Sequence, residues 1–130
     1  MSSFSIFQVA GSAMAAQSVR LNSVSSNLAN ADVVAAKPED TYKARVPVFE
    51  ARANGQGVGV KEVAESTDAP LKRYQPGHPL ADEQGYVYAP NVSVVEEMAN
   101  MISAARSYQS NLEAVNTAKS LMLHTLNMGR

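Results

Sequence analysis

NVSVVEEMANMISAARSYQSNLEAVNTAKSLMLHTLNMGR, residues 91–130, carries the longest periodic pattern in the chain. Steps of four and three from Val94 pass through Met98, Met101, Ala105, Tyr108, Leu112, Val115, Lys119, Met122 and Leu126, and only Lys119 among them is charged. An alternating 3-4 spacing held over many turns is the coiled-coil template. Ser93 and Glu96 form an S-x-x-E capping box ahead of the repeat, and Gly129 stands just past it, where helices commonly stop. The spacing predicts a helix on the order of 50 Å long. That exceeds the width of a 130-residue globule, so the helix is expected to pack on more than its own domain.

A second stretch of the same kind opens the chain. Over residues 4–30, Phe7, Ala10, Met14, Gln17, Leu21, Val24 and Leu28 keep the 3-4 spacing, with Gln17 the one polar member. Ser2 or Ser3 is the expected cap. Gly11 weakens this helix by about 1 kcal/mol relative to Ala. Ser23, Ser25, Ser26, Asn27 and Asn30 are poor interior residues and should end it near Asn30.

Between the two lies different material. Residues 31–41 have no periodicity. Tyr42, Ala44, Val46 and Val48 then alternate with Lys43, Arg45 and Pro47, which reads as a half-buried strand near an edge. Asn54-Gly55 is a turn signal, so 42–52 and 57–65 are expected to form a hairpin. Pro70, Pro76, Gly77 and Pro79 argue against regular structure across much of 69–80, and Tyr86-Val87-Tyr88 reads as a short strand. The expected fold class is α+β. Two long terminal helices pack as an antiparallel, coiled-coil-like pair around a small β-hairpin-rich insert, dividing the chain into 1–31, 32–91 and 92–130.

Charge follows the same division. Of 23 charged residues, 16 lie in 32–91, six in 92–130 and one, Arg20, in 1–31. The outer faces of both helices are Ser, Asn, Gln, Thr and Ala rather than the usual Glu and Lys. Such faces suit close packing better than they suit a soluble monomer. A net charge of −1 gives no electrostatic case for nucleic acid or an anionic membrane. Cysteine is absent, which removes disulfide and thiolate chemistry. No run approaches 18 apolar residues, and the start lacks the basic and apolar regions of a cleaved secretory signal.

Catalytic constellations are weak. His78 and Asp82 have H-x-x-x-D spacing, but no third ligand stands near, and Pro76-Gly77-His78-Pro79 reads as a turn. His124 is placed to complement a helix C-terminus. Gly55, Gly57 and Gly59 open a strand rather than a helix, so they do not form a phosphate cradle. No G-x-S-x-G occurs. No enzyme activity, cofactor, metal or small-molecule substrate is expected. A helical adaptor or chaperone and a small hydrolase built on His78 and Asp82 are the rivals to a structural role.

Longer motifs add a resemblance. Ser12-Ala13-Met14, Arg20-Leu21-Asn22 and Ser25-Ser26-Asn27-Leu28-Ala29-Asn30-Ala31 stand in the first helix. Tyr42-Lys43-Ala44-Arg45 and Gly57-Val58-Gly59-Val60 follow, then Tyr74-Gln75-Pro76-Gly77-His78-Pro79 with Ala81-Asp82, and Ala105-Arg106-Ser107-Tyr108-Gln109 in the last helix. With these the chain resembles, end to end, the flagellar basal-body rod proteins, and most closely their proximal-rod members. Residues 32–41 depart from that pattern in lacking a Thr- and Gly-rich tract.

The resemblance implies a structural subunit exported by the flagellar type III apparatus without a cleaved signal. It implies a periplasmic rod, built with other copies and other rod proteins into a helical assembly that transmits torque and encloses the export channel. The expected packing set is Phe7, Met14, Leu21, Val24 and Leu28 against Met98, Met101, Ile102, Tyr108, Leu112, Val115 and Met122. Asn27, Asn30, Asn111 and Asn116 are candidates for hydrogen bonds that set register.

Overall fold

The computed structural model describes residues 2–129. Helix α1 spans Ser3–Asn30 and helix α2 spans Val94–Met128. Four short strands lie between them: β1 (Arg45–Ala51), β2 (Val58–Glu65), β3 (Leu71–Tyr74) and β4 (Tyr86–Ala89). The α+β architecture expected from sequence is present. Ser2 caps α1, its hydroxyl accepting from the Ser5 N–H at 3.3 Å. Ser93 caps α2 in the same way through the Glu96 N–H at 3.4 Å. Gly129 is itself the C-cap, at φ −85°, so it supplies a stop without the left-handed conformation that glycine usually provides there.

The two helices run antiparallel, since Asn27 meets Glu97 and Arg20 meets Asn100 while Ala10 lies near Asn111 and Ala114. Their seam corrects the sequence expectation. On α2 the residues turned toward α1 are Glu97, Asn100, Ala104, Ser107, Asn111, Val115, Ala118 and Met122, all buried or half-buried. Met98, Ile102, Tyr108 and Leu112 belong instead to an exposed flank. The larger apolar stripe is therefore not the one that faces α1. The reason is steric. Ala104 and Ala118 on α2, with Ala10 and Val24 on α1, are buried, and small residues at these positions let two helix backbones approach closely.

The insert rides on α1 rather than on α2. β1 and β2 form the expected hairpin, from Arg45↔Glu65 to Ala51↔Val58, with a bulge between Val48 and Phe49. Gly57, at φ 92°, lies directly over Ser12, and a side chain there would collide with the Ser12 hydroxyl. The same hydroxyl accepts the Val58 N–H at 3.1 Å. The expected inward face of the first strand is turned out: Val46 and Val48 are exposed and Pro47 is half-buried.

The second hairpin includes a strand the prolines concealed. β3 fits in the four residues from Leu71 to Tyr74, between Pro70 and Pro76, and pairs with β4. Ala35 pairs with the other edge of β4, exchanging both backbone hydrogen bonds with Tyr88 at 2.8 and 3.0 Å. In the connecting turn His78 Nδ1 accepts from the Leu80 N–H, and Asp82 Oδ1 accepts from the N–H groups of Gln84 and Tyr86. Both side chains are engaged in holding the turn, as the turn reading of this stretch expects.

Candidate assembly surface

Asn27 is the hub of the molecule. It is 1% exposed and its amide is saturated. Nδ2 donates to the Arg45 carbonyl at 3.0 Å and to Glu97 Oε2 at 3.1 Å. Oδ1 accepts the Arg45 N–H and the Tyr42 hydroxyl, each at 2.8 Å. The side chain thus pairs with both backbone groups of Arg45 as a neighbouring strand would, and it ties β1 and α2 to α1 at one point. Arg20 adds a second tie, donating to Asn100 Oδ1 at 3.1 Å.

The other three asparagines behave differently. Asn30 and Asn111 donate back to the Ser26 and Ser107 carbonyls of their own helices, and Asn116 is exposed. Arg20, Tyr42, Glu97 and Asn100 are partners that the periodicity does not reveal. A signal for one of them is present, because Arg20, the one charge in its helix, needs a partner where it is covered.

The apolar residues expected to pack fall into two groups. Val24 is buried, and Phe7, Met14, Leu21, Leu28, Met101, Val115 and Met122 are half-buried along the helix pair. Met98 (54%), Ile102 (56%), Tyr108 (38%) and Leu112 (43%) are exposed. At about 100° per residue, Met98, Tyr108 and Leu112 lie on a flank adjoining the α1-facing seam. Ser12 and Asn27 meet the insert on one side of α1, and Phe7, Met14 and Leu21 lie on the other. The α2 flank falls on that same uncovered side, so one long apolar face runs along both helices opposite the insert.

In its last turns, around and beyond Met122, α2 outruns α1. Leu121, Leu123, Leu126 and Met128 are all exposed there and point in several directions. These apolar side chains alternate with Lys119, Ser120, His124, Thr125 and Asn127, so this end is mixed rather than apolar all round. Among the described residues no helix is long and apolar enough to cross a membrane.

Comparison with known proteins gives the family. A family model described as flagella basal body rod protein matches residues 7–37, and one described as flagellar basal body rod FlgEFG protein C-terminal matches residues 83–128. The flagellar basal-body rod protein FlgC of Salmonella typhimurium is 52% identical over 100% of both chains. The chain belongs to the FlgC family of flagellar basal-body rod proteins. FlgC of Escherichia coli O157:H7 is 50% identical, and FlgC of Buchnera aphidicola subsp. Baizongia pistaciae 37% identical, each over 100% of both chains. The two matched stretches take in α1 from Phe7 onward and the whole of α2. They also include Ala35 and Tyr88, so the bridge between those residues joins the two rod-family segments. Like its relatives, this FlgC-family chain is a structural subunit of the flagellar basal-body rod.

Proposed function

We propose that the chain works in the rod as a packing unit whose terminal helices polymerise into the tubular shaft, transmitting torque and surrounding the export channel. The observation that carries this is the apolar face opposite the insert. Met98, Ile102, Tyr108 and Leu112 are exposed on a helix with only five charged residues between Val94 and Met128. An exposed apolar face of that extent marks a protein contact. Phe7, Met14, Leu21, Val24, Leu28, Met101, Val115 and Met122 support it from the seam beside and beneath. Residues 1–31 and 92–130 form the axial core, and 32–91 forms the outer insert. Lys119, exposed at the end of the seam, is a charged contact to a neighbouring subunit.

The partners in this reading are other copies and other rod proteins. The flagellar type III apparatus delivers the chain, without a cleaved signal, to the proximal rod in the periplasm. No catalytic step, cofactor or nucleic acid takes part. Leu112→Asp tests the contact. The substitution lies on the exposed flank, so the soluble subunit should fold as before while rods fail to form and cells lose motility. Normal swimming by cells whose only copy carries Leu112→Asp would sink the proposal.

A further inference from the structure

We infer that Asn54 is a site of spontaneous covalent modification, and that its isoaspartyl product unlatches the β1–β2 hairpin from α1. The chain has nine asparagines. Seven lie in α1 or α2, where the regular backbone holds the nitrogen of the next residue away from the side chain. An eighth, Asn91, is followed by Val92, whose branched side chain crowds that nitrogen. Asn54 alone is followed by glycine, the residue that leaves the nitrogen most open to attack.

The surroundings favour the reaction. Asn54 and Gly55 lie in the turn between β1 and β2, and every residue from Ala51 to Gln56 is exposed. The turn is closed by the Gly55 N–H donating to the Arg52 carbonyl at 2.9 Å and the Arg52 N–H donating to the Gly57 carbonyl at 3.1 Å. Exposed backbone bonds with little packing over them open locally, without unfolding the rest of the chain. Asn54 Oδ1 accepts the Gln56 N–H at 3.0 Å, which draws electron density from Cγ.

When the turn opens, the Gly55 nitrogen attacks Asn54 Cγ. The N–Cγ bond forms, the Cγ–Nδ2 bond breaks, and the proton of the Gly55 N–H leaves with Nδ2 as ammonia. Water then opens the cyclic imide at one of its two carbonyls. The product is an aspartyl or an isoaspartyl residue at position 54, with one negative charge more than before. No electron transfer is involved.

The two products differ in what they do to the fold. The isoaspartyl form runs the main chain through the former side chain and adds one backbone atom inside the Arg52–Gly57 closure. That closure sets the hairpin on α1. Gly57, at φ 92°, lies so close to Ser12 that a Cβ would collide with its hydroxyl, and the same hydroxyl accepts the Val58 N–H at 3.1 Å. A fit this tight cannot absorb an extra backbone atom, so the Ser12 contact is lost. The aspartyl form keeps the backbone length and an oxygen for the Gln56 N–H, so the contact survives.

The test ages the purified full-length chain in neutral buffer and follows it by peptide mass spectrometry. Asn54 should convert at least about tenfold faster than any other asparagine, because only its turn opens freely. The product should accept methyl groups from a protein-isoaspartate methyltransferase, and Asn54→Gln, which would need a larger ring, should abolish that signal. Amide exchange at Val58 should rise in the isoaspartyl fraction and stay at its original rate in Asn54→Asp. Conversion at Asn54 no faster than in the helices, an aspartyl product alone, or methylation that persists in Asn54→Gln would overturn the site. An isoaspartyl fraction with Val58 protected as in fresh protein would overturn the unlatching.

Discussion

Asn27 does with one side chain what a strand does with a backbone. Its amide satisfies the N–H and carbonyl of Arg45 while reaching Glu97 and Tyr42. Asn27→Ala should lower stability by about 2–3 kcal/mol, because it strips several buried partners at once. Asn27→Asp keeps the shape but loses the donor and sets a second carboxylate against Glu97. Adding Glu97→Gln restores a donor to that pair, so the double variant should be more stable than Asn27→Asp alone. Chemical denaturation of the three variants checks the order. Gln17 is the opposite case. Its Oε1 is buried with no hydrogen-bond partner among the described residues, so Gln17→Leu should stabilise the chain by roughly 1 kcal/mol.

At the scale of elements, the two helices are legible in sequence because caps and periodicity are local signals. Ser2 and Ser93 cap where their positions suggest, and the Asn54-Gly55 turn falls between β1 and β2. The face of α2 that meets α1 is not legible. Two stripes run along α2, and hydrophobicity favours the one with Met98, Tyr108 and Leu112, while close approach of backbones favours the one with Ala104 and Ala118. The strand β3 escapes because its four residues lie between prolines. The hub escapes in part because Tyr42 and Arg45 come to Asn27 only through the fold.

The same distinction separates two substitutions one helical turn apart. Val115 is half-buried in the seam, so Val115→Asp should cost about 2–3 kcal/mol through a poorly solvated charge. Leu112→Asp on the flank should stay within about 0.5 kcal/mol, and thermal melts of the two soluble variants check the contrast. The overhang of α2 gives a further outcome. Amides after residue 122 have no α1 against them and should exchange rapidly in the free subunit, while those around Ala104 stay protected. Hydrogen exchange by mass spectrometry reads both.

For the whole molecule, the distribution of charge and the distribution of unpartnered surface agree. The insert holds 16 of the 23 charges and sits on one side of α1. The opposite side and the α2 overhang carry the exposed apolar residues. A chain with one solvated side and one bare side is stable in isolation only to the extent that the α1–α2 seam allows, and in the proposed assembly neighbours complete the bare side. The most direct measurement uses single cysteines placed in a chain that has none. Met98→Cys and Leu112→Cys should react readily with a maleimide in the free subunit and at least tenfold more slowly in intact basal bodies. Equal reactivity in both states would contradict the account.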